Sequence, residues 1–236
     1  MIRVHAVELL RLLKKEYTYE ELSKIFQMPA PALSRYIQGH VLPRTERAKD
    51  IIRKAMEQID LSSEVIKRLR WTSDGFFDNT RMISDTVLLK LIAEKVARNM
   101  MKKKPTKVLT AAVDGIPLAT IIAAKMNIDL IYAKKTKEIG INGFIEETVK
   151  VGNSGFLMTL YLPKHALSAR DRVLIVDDII RTGETQKALI RLCKRARAKI
   201  VGIFILIAVG DEWRKTLEGE GLEVEYFVKI SPPKVR

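Results

Sequence analysis

Apolar residues recur along this chain in two rhythms, and the change from one to the other divides it. Within residues 4–13, Val4, Val7, Leu10 or Ala6, and Leu13 return at helical spacing, which predicts an amphipathic helix. Thr18 and Glu21 stand at the spacing where a hydroxyl and a carboxylate satisfy each other's free backbone donors, so a second helix starts there and runs to about residue 26. Pro31 suits a first helical turn and Gly39 a left-handed stop, which gives a third helix over 31–38. Pro43 is expected to open a fourth, ending near residue 59. These short helices make an all-α domain of residues 1–60.

Beyond residue 61 the rhythm shortens. Residues 61–70 read as a short basic helix or linker, and 71–78 crowd Trp71, Phe76 and Phe77 among turn formers. A long amphipathic helix is expected over 80–101. Apolar runs rich in branched side chains at 108–113, 128–133, 156–162, 173–176 and 200–209 read as strands, and 223–228 alternates like an edge strand. Helical patterns follow the 108–113 run, cover about 186–196 and return at 213–217. Strands alternating with helices imply an α/β domain with a parallel central sheet over 61–236. Between 138 and 155, Gly140, Gly143, Gly152 and Gly155 leave few helix signals, so this stretch is expected to be a mobile loop or a hairpin.

Composition changes this picture little. At 47% apolar residues the chain can bury a sizeable core, and its longest apolar stretch, 200–209, is too short to span a bilayer, so no membrane partner is expected. Cys193 is the one cysteine, which permits no internal disulfide and suits a reducing cytoplasm. It falls in a basic amphipathic helix, where a packing role is expected. The net charge of +14 points towards polyanions, yet residues 1–60 carry only 11 basic against 8 acidic side chains. Charge therefore does not locate a nucleic-acid surface by itself. His5, His40 and His165 are scattered, so no tightly held metal is expected.

The chemistry concentrates at 173–185, reading VLIVDDIIRTGET. A buried strand emerges into Asp177 and Asp178, then Arg181, Thr182, Gly183, Glu184 and Thr185 turn the chain into a helix. Free backbone N–H groups and hydroxyls at a helix start cradle phosphate, and Gly183 allows close approach. The carboxylates would repel phosphate and must face something else, such as sugar hydroxyls. This stretch resembles the binding motif of the type I phosphoribosyltransferases for phosphoribosyl pyrophosphate (PRPP). The resemblance implies that Asp177 and Asp178 hold the ribose hydroxyls, while 181–185 hold the 5′-phosphate. Asp114 and Gly115, in a glycine turn between strand and helix, are similar to the pyrophosphate loop of the orotate enzymes. In the loop that closes over PRPP in those enzymes, Lys134 and Lys137 match two lysines. Ala133 stands where an arginine would be and Ile139 where a histidine would be. Were the chain a catalyst, Lys134, Lys137 and Asp178 would carry the reaction, with Mg²⁺ arriving on PRPP; the two departures favour ligand sensing over turnover. Trp71 and Phe76 fall where those enzymes cover the base.

The amino-terminal helices resemble the helix-turn-helix of Cro-type repressors, above all in LSRYIQGHVLP at 33–43. Small Ser23 falls where two helices would cross, and Gln27 takes the turn position often held by glycine. The resemblance implies that Ala32, Arg35, Tyr36 and Gln38 face base edges of double-stranded DNA, while Ser34, His40, Arg44 and Thr45 position phosphates. Such a unit fused to a phosphoribosyltransferase-like domain is similar to the archaeal GfcR-type regulators. It implies a homodimeric transcription factor that senses PRPP or a related nucleotide.

Overall fold

A computed structural model of the chain describes residues 2–58, 60–72, 77–150 and 155–232. Two compact units divide it, Met1–Arg68 and Leu69–Arg236.

The first unit contains helices α1 (Ile2–Leu13), α2 (Tyr19–Phe26), α3 (Ala30–Ile37), α4 (Thr45–Gln58) and α5 (Leu61–Lys67). Its core is built from Ala6, Leu9, Leu10, Leu13, Leu22, Phe26, Leu33, Ile51 and Val65, all buried. The inward face of α1 is therefore the Ala6, Leu9, Leu10, Leu13 stripe, and Val4, expected on it, is 49% exposed. Thr18 accepts from Glu21 N, while Glu21 Oε2 accepts from Thr18 N at 2.7 Å, completing the expected capping pair. In the turn after α2, Gln27 adopts the left-handed conformation at φ 52°, which glycine would adopt more cheaply. Two contacts offset that cost: the N–H of Gln27 donates to Ser23 O, and the Ser23 hydroxyl donates to Met28 O. Helix α4 opens at Thr45 and not at Pro43, because Arg3 holds the Leu42 and Pro43 carbonyls in the preceding loop, at 3.2 and 2.7 Å. Helix α5 belongs with this unit, so the boundary falls after Arg68 rather than at residue 60. Leu61 and Val65 are buried, and Glu64 accepts from Arg68 at 2.7 Å and from Lys67 at 2.7 Å.

The second unit opens with a small antiparallel pair, β1 (Arg70–Trp71) and β2 (Phe77–Asp78). The long helix expected next is broken into α6 (Thr80–Ile83) and α7 (Thr86–Met100), because Asp85 accepts from the N–H groups of Val87 and Leu88 and starts a new helix. There follow β3 (Lys107–Ala111), α8 (Ile116–Met126), β4 (Asp129–Ala133), β5 (Phe144–Lys150), β6 (Leu157–Pro163), β7 (Arg172–Ile180), α9 (Glu184–Arg195), β8 (Lys199–Val209), α10 (Glu212–Leu217) and β9 (Val224–Ile230). The central sheet runs β4-β3-β7-β8-β9, with every pairing parallel. Strand β7 sits in the middle, which is why its run of Val173, Leu174, Ile175 and Val176 is wholly buried. Strand order reverses between β3 and β7, so a crevice opens at their carboxyl ends.

Strands β5 and β6 do not extend that sheet, against the expectation for 156–162. They form a separate antiparallel pair, of which only β5 falls in the 138–155 stretch foreseen as a loop or hairpin, and Gly152 lies outside the described residues. Buried Glu147 on β5 fastens the hairpin to α9, accepting from Arg191 at 3.1 Å and Arg195 at 2.6 Å. Among the described residues, no helix is long and apolar enough to cross a membrane.

Cys193 is fully buried on α9, and burial pushes its thiol up to about 12. A thiol held neutral and enclosed is a poor nucleophile. Ellman's reagent should therefore find no reactive thiol in the folded protein and one per chain after denaturation.

Candidate ligand-binding site

The crevice between β3 and β7 contains a cavity of about 620 Å³, lined by residues 111–115, 134–136, 177–179, Met158, Leu160 and Thr185. Of the sequence candidates it gathers Asp114, Gly115, Lys134, Asp177, Asp178 and Thr185. Arg181, Thr182, Gly183 and Glu184 belong to the connection and helix start beside it without lining it, and neither does Lys137.

Asp177 and Asp178 still belong to β7, so the buried strand carries both carboxylates into the protein, 5% and 7% exposed. Each is met by a side-chain amide. Gln186 Nε2 donates to Asp177 Oδ2 at 2.7 Å, and Asn79 Nδ2 donates to Asp178 Oδ2 at 2.6 Å. Burial, then the charge of its neighbour Asp178, holds the Asp177 carboxyl well above the usual range. Burial, then the charge of Asp114, pushes Asp178 up to about 6. The site is thus a concentrated negative centre whose ionisation is resisted by its own environment.

Gly115 has ordinary backbone angles, so its reason is space. A methyl built there would lie 2.5 Å from Asp177 Oδ1 and closer still to Thr110 Oγ1. Gly183 differs on both counts. Its φ of 88° starts α9, and a methyl there would meet the Trp213 backbone at 3.2 Å, so its bareness also admits α10. As the cap residue of α9, Gly183 brings no side chain to the helix start.

Both expected cations are in ion pairs, Lys134 while lining the cavity. Lys134 pairs with Glu138 and lies 5.1 Å from the centre of the Tyr132 ring; Lys137 pairs with Glu146 Oε2 at 2.9 Å and lies 4.9 Å from the Tyr161 ring centre. Ala133, in the arginine position, is fully buried at the end of β4, and Ile139, in the histidine position, is fully exposed. The sequence reading missed Asn79, Gln186, Lys135 and Thr136. Gln186 carried a signal, since a polar residue in the first turn after the motif can reach back to the strand. Asn79 carried none, being 99 residues from its partner. Trp71 is exposed on β1, and Phe76 lies outside the described residues.

On the first unit, α3 buries Leu33 and exposes Arg35 and Gln38; Ala32, Ser34 and Tyr36 are half-buried, and His40, Arg44 and Thr45 are exposed in and after the following turn. Arg11 Nε donates to Ile37 O at 2.7 Å, holding the end of α3.

Residues 82–229 match the family described as phosphoribosyl transferase domain. A xanthine phosphoribosyltransferase of Stutzerimonas stutzeri is 30% identical over 188 residues, covering 79% of this chain and 94% of that protein. The chain therefore belongs to the phosphoribosyltransferase family. A probable purine biosynthesis transcriptional regulator PurR of Streptococcus pneumoniae is 27% identical over 157 residues, 66% of this chain and 57% of the regulator. Among solved structures, adenine phosphoribosyltransferase from Rhodothermus marinus superposes with a TM-score of 0.64 at 25% identity, covering 72% of this chain and 98% of that one.

The raised carboxyls have a consequence for stability. A carboxyl whose folded pKa lies above its unfolded value contributes stability that is complete below the unfolded value and is lost as pH rises through the folded one. Asp178→Asn removes that loss while keeping an acceptor for Asn79. It should stabilise the unliganded protein by about 1–3 kcal/mol at neutral pH and by little near pH 4, read from urea unfolding at both values. Gly115→Ala should destabilise it by about 1–3 kcal/mol in the same assay, because the methyl overlaps Asp177 and Thr110.

Proposed function

We propose that this chain is a DNA-binding transcriptional regulator of the GfcR type, whose phosphoribosyltransferase domain binds PRPP or a related nucleotide as effector. The carrying observation is that a separate compact helical unit precedes a family domain in which buried Ala133 and exposed Ile139 stand where the loop arginine and histidine are expected. In this reading Asp177 and Asp178 receive the ribose hydroxyls, and the connection at 181–185 receives the 5′-phosphate. The loop at Asp114 and Gly115 receives the pyrophosphate end. Among the described residues no cluster of three or more His, Cys, Asp or Glu side chains is arranged to hold a metal. Mg²⁺ would therefore be held mainly by the ligand's own phosphate oxygens and by water, neutralising charge beside the acid pair. The helices α2 and α3 act as the helix-turn-helix, with Arg35 and Gln38 reading base edges and Arg44 and Thr45 holding phosphates. A homodimer would match two half-sites. Effector binding changes DNA affinity by preferring one arrangement of that dimer, and DNA changes effector affinity by the same factor.

The enzyme reading is favoured by one observation, the xanthine phosphoribosyltransferase relative matched over 94% of its length. Purine bases then head the list of acceptors.

Incubation with PRPP, Mg²⁺ and xanthine, guanine, hypoxanthine, adenine or orotate should release no pyrophosphate at an ordinary enzymatic rate. Turnover of any base would replace the regulator reading with the enzyme one. In gel-shift assays, Arg35→Ala should weaken sequence-selective DNA binding by about tenfold or more. Asp177→Asn with Asp178→Asn should abolish the response to PRPP and leave unliganded DNA binding intact. Loss of DNA binding in that folded double variant would count against the separation of roles.

A further inference from the structure

Asn79 stands outside both loops that mark the ligand site, yet its side chain is nine-tenths buried and meets Asp178 Oδ2 at 2.6 Å. Its backbone is pinned on both sides. Asp78 Oδ1 accepts from Thr80 N at 2.8 Å, and the Asn79 carbonyl accepts from Met82 N and Ile83 N at 2.9 and 3.0 Å. The amide therefore enters the site from a fixed point at the start of α6. Around Asp178 stand Asp177 on the same strand and Asp114 from the β3–α8 connection, both acidic, while Lys134 and Lys135 line the shared cavity. Gln186 on α9 serves Asp177 rather than Asp178. Against two neighbouring carboxylates, a fixed N–H donor does two things. It favours the ionised form, and it holds one oxygen so that the remaining lone pairs face the cavity.

We propose that Asn79 is a positioning residue for Asp178, fixing one carboxylate oxygen so that the other is presented to the hydroxyls of a phosphoribosyl ligand. Asn79 acts through the carboxylate and does not touch the phosphates. The inference rests on the phosphoribosyl reading above, and its test separates the two.

The full-length chain and its Asn79→Ala and Asn79→Asp variants would be titrated calorimetrically with ribose 5-phosphate, 2-deoxyribose 5-phosphate and inorganic pyrophosphate, from about pH 5 to pH 8. Asn79→Ala should bind ribose 5-phosphate about tenfold more weakly, lose most of the preference over the deoxy sugar, and bind pyrophosphate as the parent does. Asn79→Asp, of the same size, places a third carboxylate against Asp178. It should move the pH midpoint of ribose 5-phosphate binding upward by about one unit or more. Undiminished ribose 5-phosphate binding by Asn79→Ala, or an equal loss for ribose 5-phosphate and pyrophosphate, would overturn the positioning role. An unmoved midpoint in Asn79→Asp would do the same. Failure of the parent chain to bind either sugar phosphate would instead remove the phosphoribosyl reading, and the positioning role with it.

Discussion

Two adjacent carboxylates, buried at the carboxyl end of the central strand, are the constraint around which the second unit is arranged. Asp177 and Asp178 line one cavity, and the charge of Asp178 makes the ionisation of Asp177 harder. Each has its own amide, from Gln186 on α9 and from Asn79 at the start of α6. Gly115 leaves room for Asp177 where any side chain would collide with it. The sheet supplies the burial, and burial sets the chemistry: both carboxyls are held above their ordinary range. Hydroxyl donors brought against such carboxyls would favour their ionised form.

The walls of the cavity come from elements with a different logic. The β5–β6 hairpin contributes Met158 and Leu160, and it is seated on α9 through Glu147, Arg191 and Arg195. Helix α9 in turn starts at the connection that follows the acid pair. One helix thus carries the turn that follows the acid pair, the amide that serves Asp177 and the arginines that hold the hairpin. Lys134 and Lys137 rest on tyrosine rings beside Glu138 and Glu146, exposed pairs of the kind that exchange readily with an arriving anion.

In the helical unit the corresponding constraint is the turn between α2 and α3. A left-handed residue is required there, and Gln27 fills the place with help from the Ser23 hydroxyl. Arginines on α1 then hold the far end of α3 and the loop beyond it, through Ile37, Leu42 and Pro43 carbonyls. The exposed face of α3 is thereby presented from a braced helix rather than a loose one.

Elements whose reasons are local were legible in the sequence. The capping pair at Thr18 and Glu21, the left-handed Gly39, the buried run of β7 and the edge strand β9 follow from spacing and side-chain shape within a few residues. So did the acid pair and its helix start, because motif and chemistry are contiguous. Tertiary structure decided what depends on distant partners. It broke the 80–101 helix at Asp85, paired 144–150 with 157–163 off the main sheet, and packed α10 against Gly183. It also brought Asn79 to Asp178 across 99 residues. Nothing in the spacing of a sequence encodes such a meeting, since the fold alone sets which chain segments share the crevice at the reversal of strand order.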